Sequence, residues 1–176
     1  MMSISKVKGI SGSQICYLKA TIQIAEHRVA TRPSVFRSVL GSCVSVCLYD
    51  NITKIGGMTH ILLPDSYESR TQTFKPGKYA DTAIKTTLIQ MGRAGASKQN
   101  IVAKIIGGGN MINDAKIFAT GKRNINAARE ILKREGIQIL AEDVGGKLGR
   151  SVEFYTDSGT VEVKSRIATE EFVKYL

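Results

Sequence analysis

The chain has 176 residues, a net charge of +10 and a pI near 9.7. Hydrophobic residues make up 43% and charged residues 23%, values typical of one globular domain, which we place at residues 1–176 with a core of about 20–165. The longest apolar runs are too short to span a membrane and the N-terminus lacks a signal-peptide core, so we expect a cytoplasmic protein. Basic residues are scattered and aromatics are few, so the charge does not indicate nucleic-acid binding.

In chain order, the apolar patterns predict strands at residues 21–25 and 35–40, a strand hairpin across 43–63, a helix at 76–92, a strand at 101–106, a helix at 124–135, a strand at 137–141, a second hairpin across 152–164, and a frayed helix at 165–176. Strands outnumber helices and several neighbours form hairpins, which excludes a doubly wound parallel sheet. We therefore predict an α+β fold, in which mixed, largely antiparallel sheets pack as a layered sandwich with two helices outside.

The first hairpin contains a cysteine and a histidine that can meet. A four-residue turn over residues 50–53 would pair Tyr49 with Lys54 and so place Cys43 directly opposite His60. Two glycines, Gly56 and Gly57, could add a bulge and shift that pairing by one residue.

The residues before Cys43 suit a nucleophile. Gly41 and Ser42 allow a sharp turn, and the backbone N–H groups of Ser42 and Cys43 could bind an oxyanion. The alternative is that Cys43 is a small core residue, which is how we interpret Cys47. A cysteine and a histidine alone would equally serve a peptidase, an acyltransferase or an amidase.

Two further segments could lie beside the candidate site. The polar residues 67–75 follow His60 and are either a substrate flap or a plain surface loop. The glycines at 107–109 follow a strand without a phosphate-binding motif, so we interpret them as a tight turn beside the site. Three cysteines without C-x-x-C spacing and only two histidines predict reduced thiols and no metal site.

An ordered set of motifs resembles the CheD family of bacterial chemotaxis proteins, the chemoreceptor glutamine deamidases. The motifs are LGSCVSVCLYD, GGMTHILLPDS, KPGKYADTAIK, AKIIGGGNMI and GKRNINAAREILKREGIQILAEDVGG, within residues 20–165. The resemblance implies that Cys43 is the nucleophile and His60 its base. The family's third residue is a threonine shortly before the cysteine. This chain offers Ser38 there, with the same hydroxyl but a less restricted rotamer.

The resemblance also implies hydrolysis of glutamine side chains on methyl-accepting chemoreceptors, with no cofactor, and a CheC-type phosphatase as a second partner in some bacteria. Because the family's threonine is replaced, a non-catalytic adaptor that binds receptor or phosphatase is the alternative. If Ser38 orients His60, its loss should lower turnover steeply.

Overall fold

The structure is a computed structural model that describes the backbone at residues 3–8, 14–68, 75–110, 115–167 and 170–176, and side chains at residues 17–67, 75–110, 119–166 and 170–176. The strands are β1 (Ser3–Lys8), β2 (Gln14–Thr21), β3 (His27–Ala30), β4 (Ser34–Leu40), β5 (Val44–Asp50), β6 (Gly56–Ile61), β7 (Ile101–Gly107), β8 (Gln138–Val144), β9 (Arg150–Tyr155), β10 (Val161–Ile167) and β11 (Glu170–Tyr175). The helices are α1 (Ala80–Arg93) and α2 (Ala115–Arg134). Neither helix, in its described residues, is long and apolar enough to cross a membrane.

The strands form two sheets. One has six strands in the order β1-β2-β4-β9-β10-β11, and the other has five in the order β3-β6-β5-β7-β8. Only the pairs β2–β4 and β7–β8 among the described strand pairs are parallel. The prediction of an α+β sandwich with mixed, largely antiparallel sheets is therefore confirmed.

The five-stranded sheet is the middle layer, because helices pack on one face and the six-stranded sheet on the other. Along β5, which is buried throughout, Val44, Val46 and Leu48 point towards the helices, while Cys47 and Tyr49 point towards the second sheet. A strand covered on both faces reads as a nearly continuous apolar run, which explains the pattern in this part of the sequence.

Several predicted element boundaries were wrong. The strand predicted at residues 21–25 ends at Thr21, and α2 begins nine residues before the predicted start, at Ala115 rather than Asn124. The C-terminal segment is the edge strand β11 (Glu170–Tyr175) instead of a frayed helix. The proposed flap lies mostly outside the described residues.

The predicted pairing in the first hairpin was wrong by two residues. Tyr49 pairs with Gly56, and Ser45 rather than Cys43 lies opposite His60. A shift by an even number of residues keeps every side chain on its original face of the sheet. Cys43, immediately before β5, is accordingly buried between the two sheets.

The longer turn of this hairpin is stabilised by Asp50. Its carboxylate accepts hydrogen bonds from the backbone N–H groups of Ile52 and Thr53, and its own backbone N–H donates to the carbonyl of Ile55. Lys54 takes a positive φ of 60° to close the turn. Asparagine or glycine is the usual residue in such a conformation. A lysine there does not indicate, from the sequence, that the turn is two residues longer than predicted.

Substituting Gly107 with alanine should destabilise the fold more than the same change at Gly136. Both glycines have positive φ, 111° and 68°, but an added Cβ at Gly107 would lie 2.3 Å from the Cys43 carbonyl oxygen, whereas Gly136 has nothing within 4 Å. Gly136→Ala should cost about 1–2 kcal/mol of backbone strain, and Gly107→Ala clearly more. Urea unfolding of both variants measures the difference, and equal losses would contradict the predicted crowding.

Candidate active site

The candidate site lies where the chain crosses from the six-stranded sheet to the five-stranded sheet. Cys43 follows the end of β4 and directly precedes β5, while His60 lies on β6. Ser38 comes from β4 on the facing sheet, and Ile22 follows the end of β2 beside it. The predicted site residues therefore converge from both sheets on one buried layer.

The imidazole of His60 is held through its Nδ1 atom. Ser38 Oγ lies 2.7 Å from Nδ1 and the backbone oxygen of Ile22 lies 3.1 Å from it. Ser38 Oγ also donates a hydrogen bond of 3.1 Å to the Ile22 oxygen. A carbonyl only accepts, so the consistent arrangement has Nδ1–H donating to Ser38 and to Ile22, and the Ser38 hydroxyl donating to Ile22.

This tautomer leaves Nε2 of His60 unprotonated. Nε2 is buried and has no hydrogen-bond partner in the described part of the chain. A ring nitrogen with a free lone pair can accept a proton, so the neutral histidine can act as a base through Nε2. The site therefore holds a histidine whose proton-accepting atom has no partner among the described residues.

The backbone of His60 is fixed as well as its ring. Its N–H donates to the Glu26 carbonyl and its carbonyl accepts from Ala25 N–H, both at 2.9 Å. These bonds fasten β6 to residues 22–26, the segment that also supplies the Ile22 oxygen. These two backbone hydrogen bonds therefore help to set the distance between the His60 ring and the Ile22 oxygen.

The loop that carries Cys43 rests on the three glycines predicted to form a tight turn. Gly108 N–H donates to the Cys43 carbonyl and Gly109 N–H donates to the Gly41 carbonyl, each at 2.8 Å. Among the hydrogen bonds of the described residues, none uses the N–H of Ser42 or of Cys43. Unpaired N–H groups beside a nucleophile are the form that an oxyanion site takes before a reaction.

Burial shifts both titrating groups towards their neutral forms. Desolvation raises the pKa of the Cys43 thiol above its ordinary value. Desolvation also lowers the pKa of His60, outweighing the hydrogen bond to Ile22 and the charge of Glu26, which act in the opposite direction. At neutral pH the resting pair is therefore a thiol and a neutral imidazole.

Cys43 and His60 lie apart from the cavity that adjoins β2 and β3. A cavity of about 650 Å³ between β2, β3 and residues 75–77 is lined by neither Cys43 nor His60. Cys43 is 8% exposed and His60 3% exposed, so the thiol has only a small opening to solvent. In the described residues, no three histidine, cysteine or acidic side chains group in a way that could hold a metal ion.

Two contributors to the site were not predicted from the sequence. The first is the Ile22 backbone oxygen, which no side-chain pattern can indicate. The second is Asn124, fully buried on α2, whose Nδ2 lies 2.9 Å from the Leu62 oxygen and 3.4 Å from the Ser42 oxygen. Its signal was present, since Asn124 lies one helical turn before Ala128 on the apolar face of the helix.

Comparison with known proteins gives a consistent set of relatives. The family model described as CheD chemotactic sensory transduction matches residues 62–165. A protein of Thermotoga maritima named chemoreceptor glutamine deamidase CheD is 43% identical over 148 residues, 84% of this chain and 92% of the relative. One of the same name from Halalkalibacterium halodurans is 39% identical, covering 82% and 91%. A solved structure, Bacillus licheniformis YfiH, covers 66% of this chain and 49% of its own at 15% identity, with a TM-score of 0.43, which is too low to support an argument.

Iodoacetamide should alkylate Cys43 faster than Cys47 at neutral pH. Cys47 is 2% exposed, and burial raises its pKa to about 12, whereas Cys43 is 8% exposed and, by hypothesis, is activated by the unpaired Nε2 of His60. Peptide mapping by mass spectrometry over a time course gives both rates, and Cys47→Ala should leave the fast phase unchanged. Equal labelling of the two thiols would contradict the activation of Cys43 by His60.

Proposed function

The chain belongs to the CheD family, and we propose that it converts glutamine side chains of methyl-accepting chemoreceptors to glutamate. In this proposal Cys43 is the nucleophile, His60 is the general base and acid, Ser38 orients His60, and the N–H groups of Ser42 and Cys43 bind the oxyanion. The observation that supports it most directly is the 2.7 Å contact between Ser38 Oγ and His60 Nδ1, which directs the free Nε2 to proton transfer.

The first half of the reaction forms a thioester. His60 Nε2 takes the proton of the Cys43 thiol as the sulfur attacks the carboxamide carbon of the glutamine. The negative charge that develops on the amide oxygen is stabilised by the N–H groups of Ser42 and Cys43. The imidazolium then gives its proton to the departing nitrogen, and ammonia leaves.

The second half returns the enzyme to its resting state. His60, again neutral, removes a proton from water as the water oxygen attacks the thioester carbon. The tetrahedral intermediate collapses, the carbon–sulfur bond breaks, and the proton returns to Cys43. The sum is glutamine plus water giving glutamate plus ammonia, and the residues named here supply every proton transfer.

The neutral resting pair determines how the thiolate forms. Since burial raises the pKa of Cys43 and lowers that of His60, a preformed thiolate–imidazolium pair is disfavoured. Proton transfer therefore accompanies attack, and the Ser38 and Ile22 oxygens stabilise the imidazolium through Nδ1–H as the charge appears.

The proposed substrate region is the helical cytoplasmic domain of the receptor, which would place this protein in the cytoplasm. Its net charge of +10 attracts acidic surfaces over long range, which raises the rate of encounter. A CheC-type phosphatase is the second proposed partner, and that proposal rests on the family resemblance alone.

Incubation of a receptor signalling domain with the protein should raise the substrate mass by about 1 Da per modified glutamine, because an amide nitrogen is exchanged for oxygen. Cys43→Ala should abolish the shift, while Cys47→Ala should preserve it. Tandem mass spectrometry locates the modified residues. An unchanged receptor in the presence of folded protein would contradict the proposed activity.

The same assay should show an acid limb below pH 6.5. The reaction needs neutral His60, and burial lowers its pKa from the ordinary value of 6.5, so kcat/KM should reach half its plateau below that pH. A midpoint above pH 6.5 would mean that His60 is stabilised in its charged form.

Ser38→Ala should lower kcat by about 10- to 100-fold rather than the ~10⁴-fold expected for loss of the correct tautomer. The reason is that the Ile22 oxygen, 3.1 Å from Nδ1, still accepts its proton when the hydroxyl is removed. Ser38→Thr should retain or raise kcat, since threonine has the same hydroxyl and a more restricted rotamer.

Ser45→Ala is the matched control for this pair of variants. Ser45 is also a fully buried serine and lies directly opposite His60, but its hydroxyl donates to the Thr59 oxygen. Its removal should reduce stability and leave kcat nearly unchanged. Equal kcat in Ser38→Ala and in the unmodified protein would remove Ser38 from the mechanism.

A further inference from the structure

Asn124, which has no role in the mechanism described above, contacts the loop that carries Cys43. It lies on α2, is fully buried, and its Nδ2 contacts two backbone oxygens from opposite sides of the site. One oxygen belongs to Leu62, two residues after His60 on the chain. The other belongs to Ser42, directly before Cys43.

The contact with Ser42 acts on the peptide unit that supplies an oxyanion donor. The Ser42 carbonyl and the Cys43 N–H are the two ends of one peptide group, so a hydrogen bond to the oxygen makes the N–H a stronger donor. No hydrogen bond among the described residues occupies that N–H. Asn124 thus polarises the Cys43 N–H from the opposite end of its peptide.

The two contacts of Nδ2 differ in length in an informative way. The bond to Leu62 is 2.9 Å, which is ordinary, whereas the contact with Ser42 is 3.4 Å, which is long. When negative charge develops beside Cys43 N–H, electron density in the peptide moves towards the Ser42 oxygen and makes it a better acceptor. The long contact therefore strengthens in the transition state, which is the property that raises kcat.

The oxygen of the Asn124 carboxamide indicates that this residue has more than a structural role. Asn124 Oδ1 is buried and has no partner in the described residues. Reversing the amide would aim that oxygen at two carbonyl oxygens, so the observed orientation, with Nδ2 towards Leu62 and Ser42, is the favourable one. A residue selected only for stability would satisfy both ends, because an unpaired buried acceptor is destabilising.

We propose that Asn124 is a positioning residue that strengthens the Cys43 N–H as an oxyanion donor and holds the nucleophile loop against the strand of the base. This inference rests on the proposed deamidase function. The species that Asn124 would stabilise is the anionic tetrahedral intermediate of amide hydrolysis. Asn124 would act on it through the peptide group between Ser42 and Cys43. The thiol itself does not depend on Asn124.

The test compares a reaction that forms an oxyanion with one that does not. In Asn124→Ala, kcat for receptor deamidation should fall at least about tenfold, with KM changed by less than about threefold. Alkylation of Cys43 by iodoacetamide, which forms no oxyanion, should stay within about threefold of the unmodified rate. Binding of a peptide in which an aldehyde replaces the side-chain carboxamide of the glutamine, and whose tetrahedral adduct with Cys43 places an oxygen at the oxyanion position, should weaken in parallel with kcat.

Two further variants keep the test decisive. Asn124→Leu retains nearly the same shape without any hydrogen-bonding group and should behave as Asn124→Ala does, which covers the case in which the alanine variant fails to fold. Thr87→Val removes a buried polar group elsewhere, the hydroxyl that donates to the Ala83 oxygen on α1, and should leave kcat unchanged. Unchanged kcat in both Asn124 variants, or equal losses of deamidation and alkylation, would overturn the proposal. If the unmodified protein shows no deamidation, that result would instead contradict the proposed deamidase function.

Discussion

The hydrogen bonds around Nδ1 of His60 are the interaction on which the site depends. They join β6 of the five-stranded sheet to β4 and to the end of β2 in the six-stranded sheet, through Ser38 and the Ile22 oxygen. A polar contact between two apolar layers is tolerated only when its groups are paired, and here Nδ1–H and the hydroxyl both are. In this arrangement Nε2 of His60 carries no proton, so Nε2 is the ring nitrogen that can accept one.

Burial would act on the proposed reaction in two opposite ways. Excluding water strengthens every dipole aimed at a developing charge, so the N–H groups near Cys43 act more strongly than they would in solvent. The same exclusion disfavours a thiolate at rest, which protects the sulfur from unspecific reaction. A group that holds the oxyanion donors in place, as Asn124 is proposed to do, is therefore of more value here than a group that lowers the thiol pKa.

The sequence predicted the layered fold because its apolar patterns had clear periods. It also predicted that Cys43 and His60 lie on the same side of their sheet, because strand side chains alternate. It missed the register by two residues, since the turn at Asp50 is closed by a lysine with positive φ. It missed Ile22 because the acting atom is a backbone oxygen, and its position depends on how residues 22–26 pack on β6. Ser38 was chosen from a family pattern, and the structure shows the contact through which it would act.

The crossing of the chain between sheets has a consequence for folding. Ser38 and Cys43 are five residues apart, yet β4 and β5 lie in different layers, so the chain changes sheets over residues 41–43. Neither sheet alone contains both the hydroxyl and the imidazole. A partly folded chain with complete hairpins but undocked layers would expose a thiol of ordinary reactivity and an unoriented histidine. Activity would therefore appear only at the last stage of assembly, when the two layers close on each other.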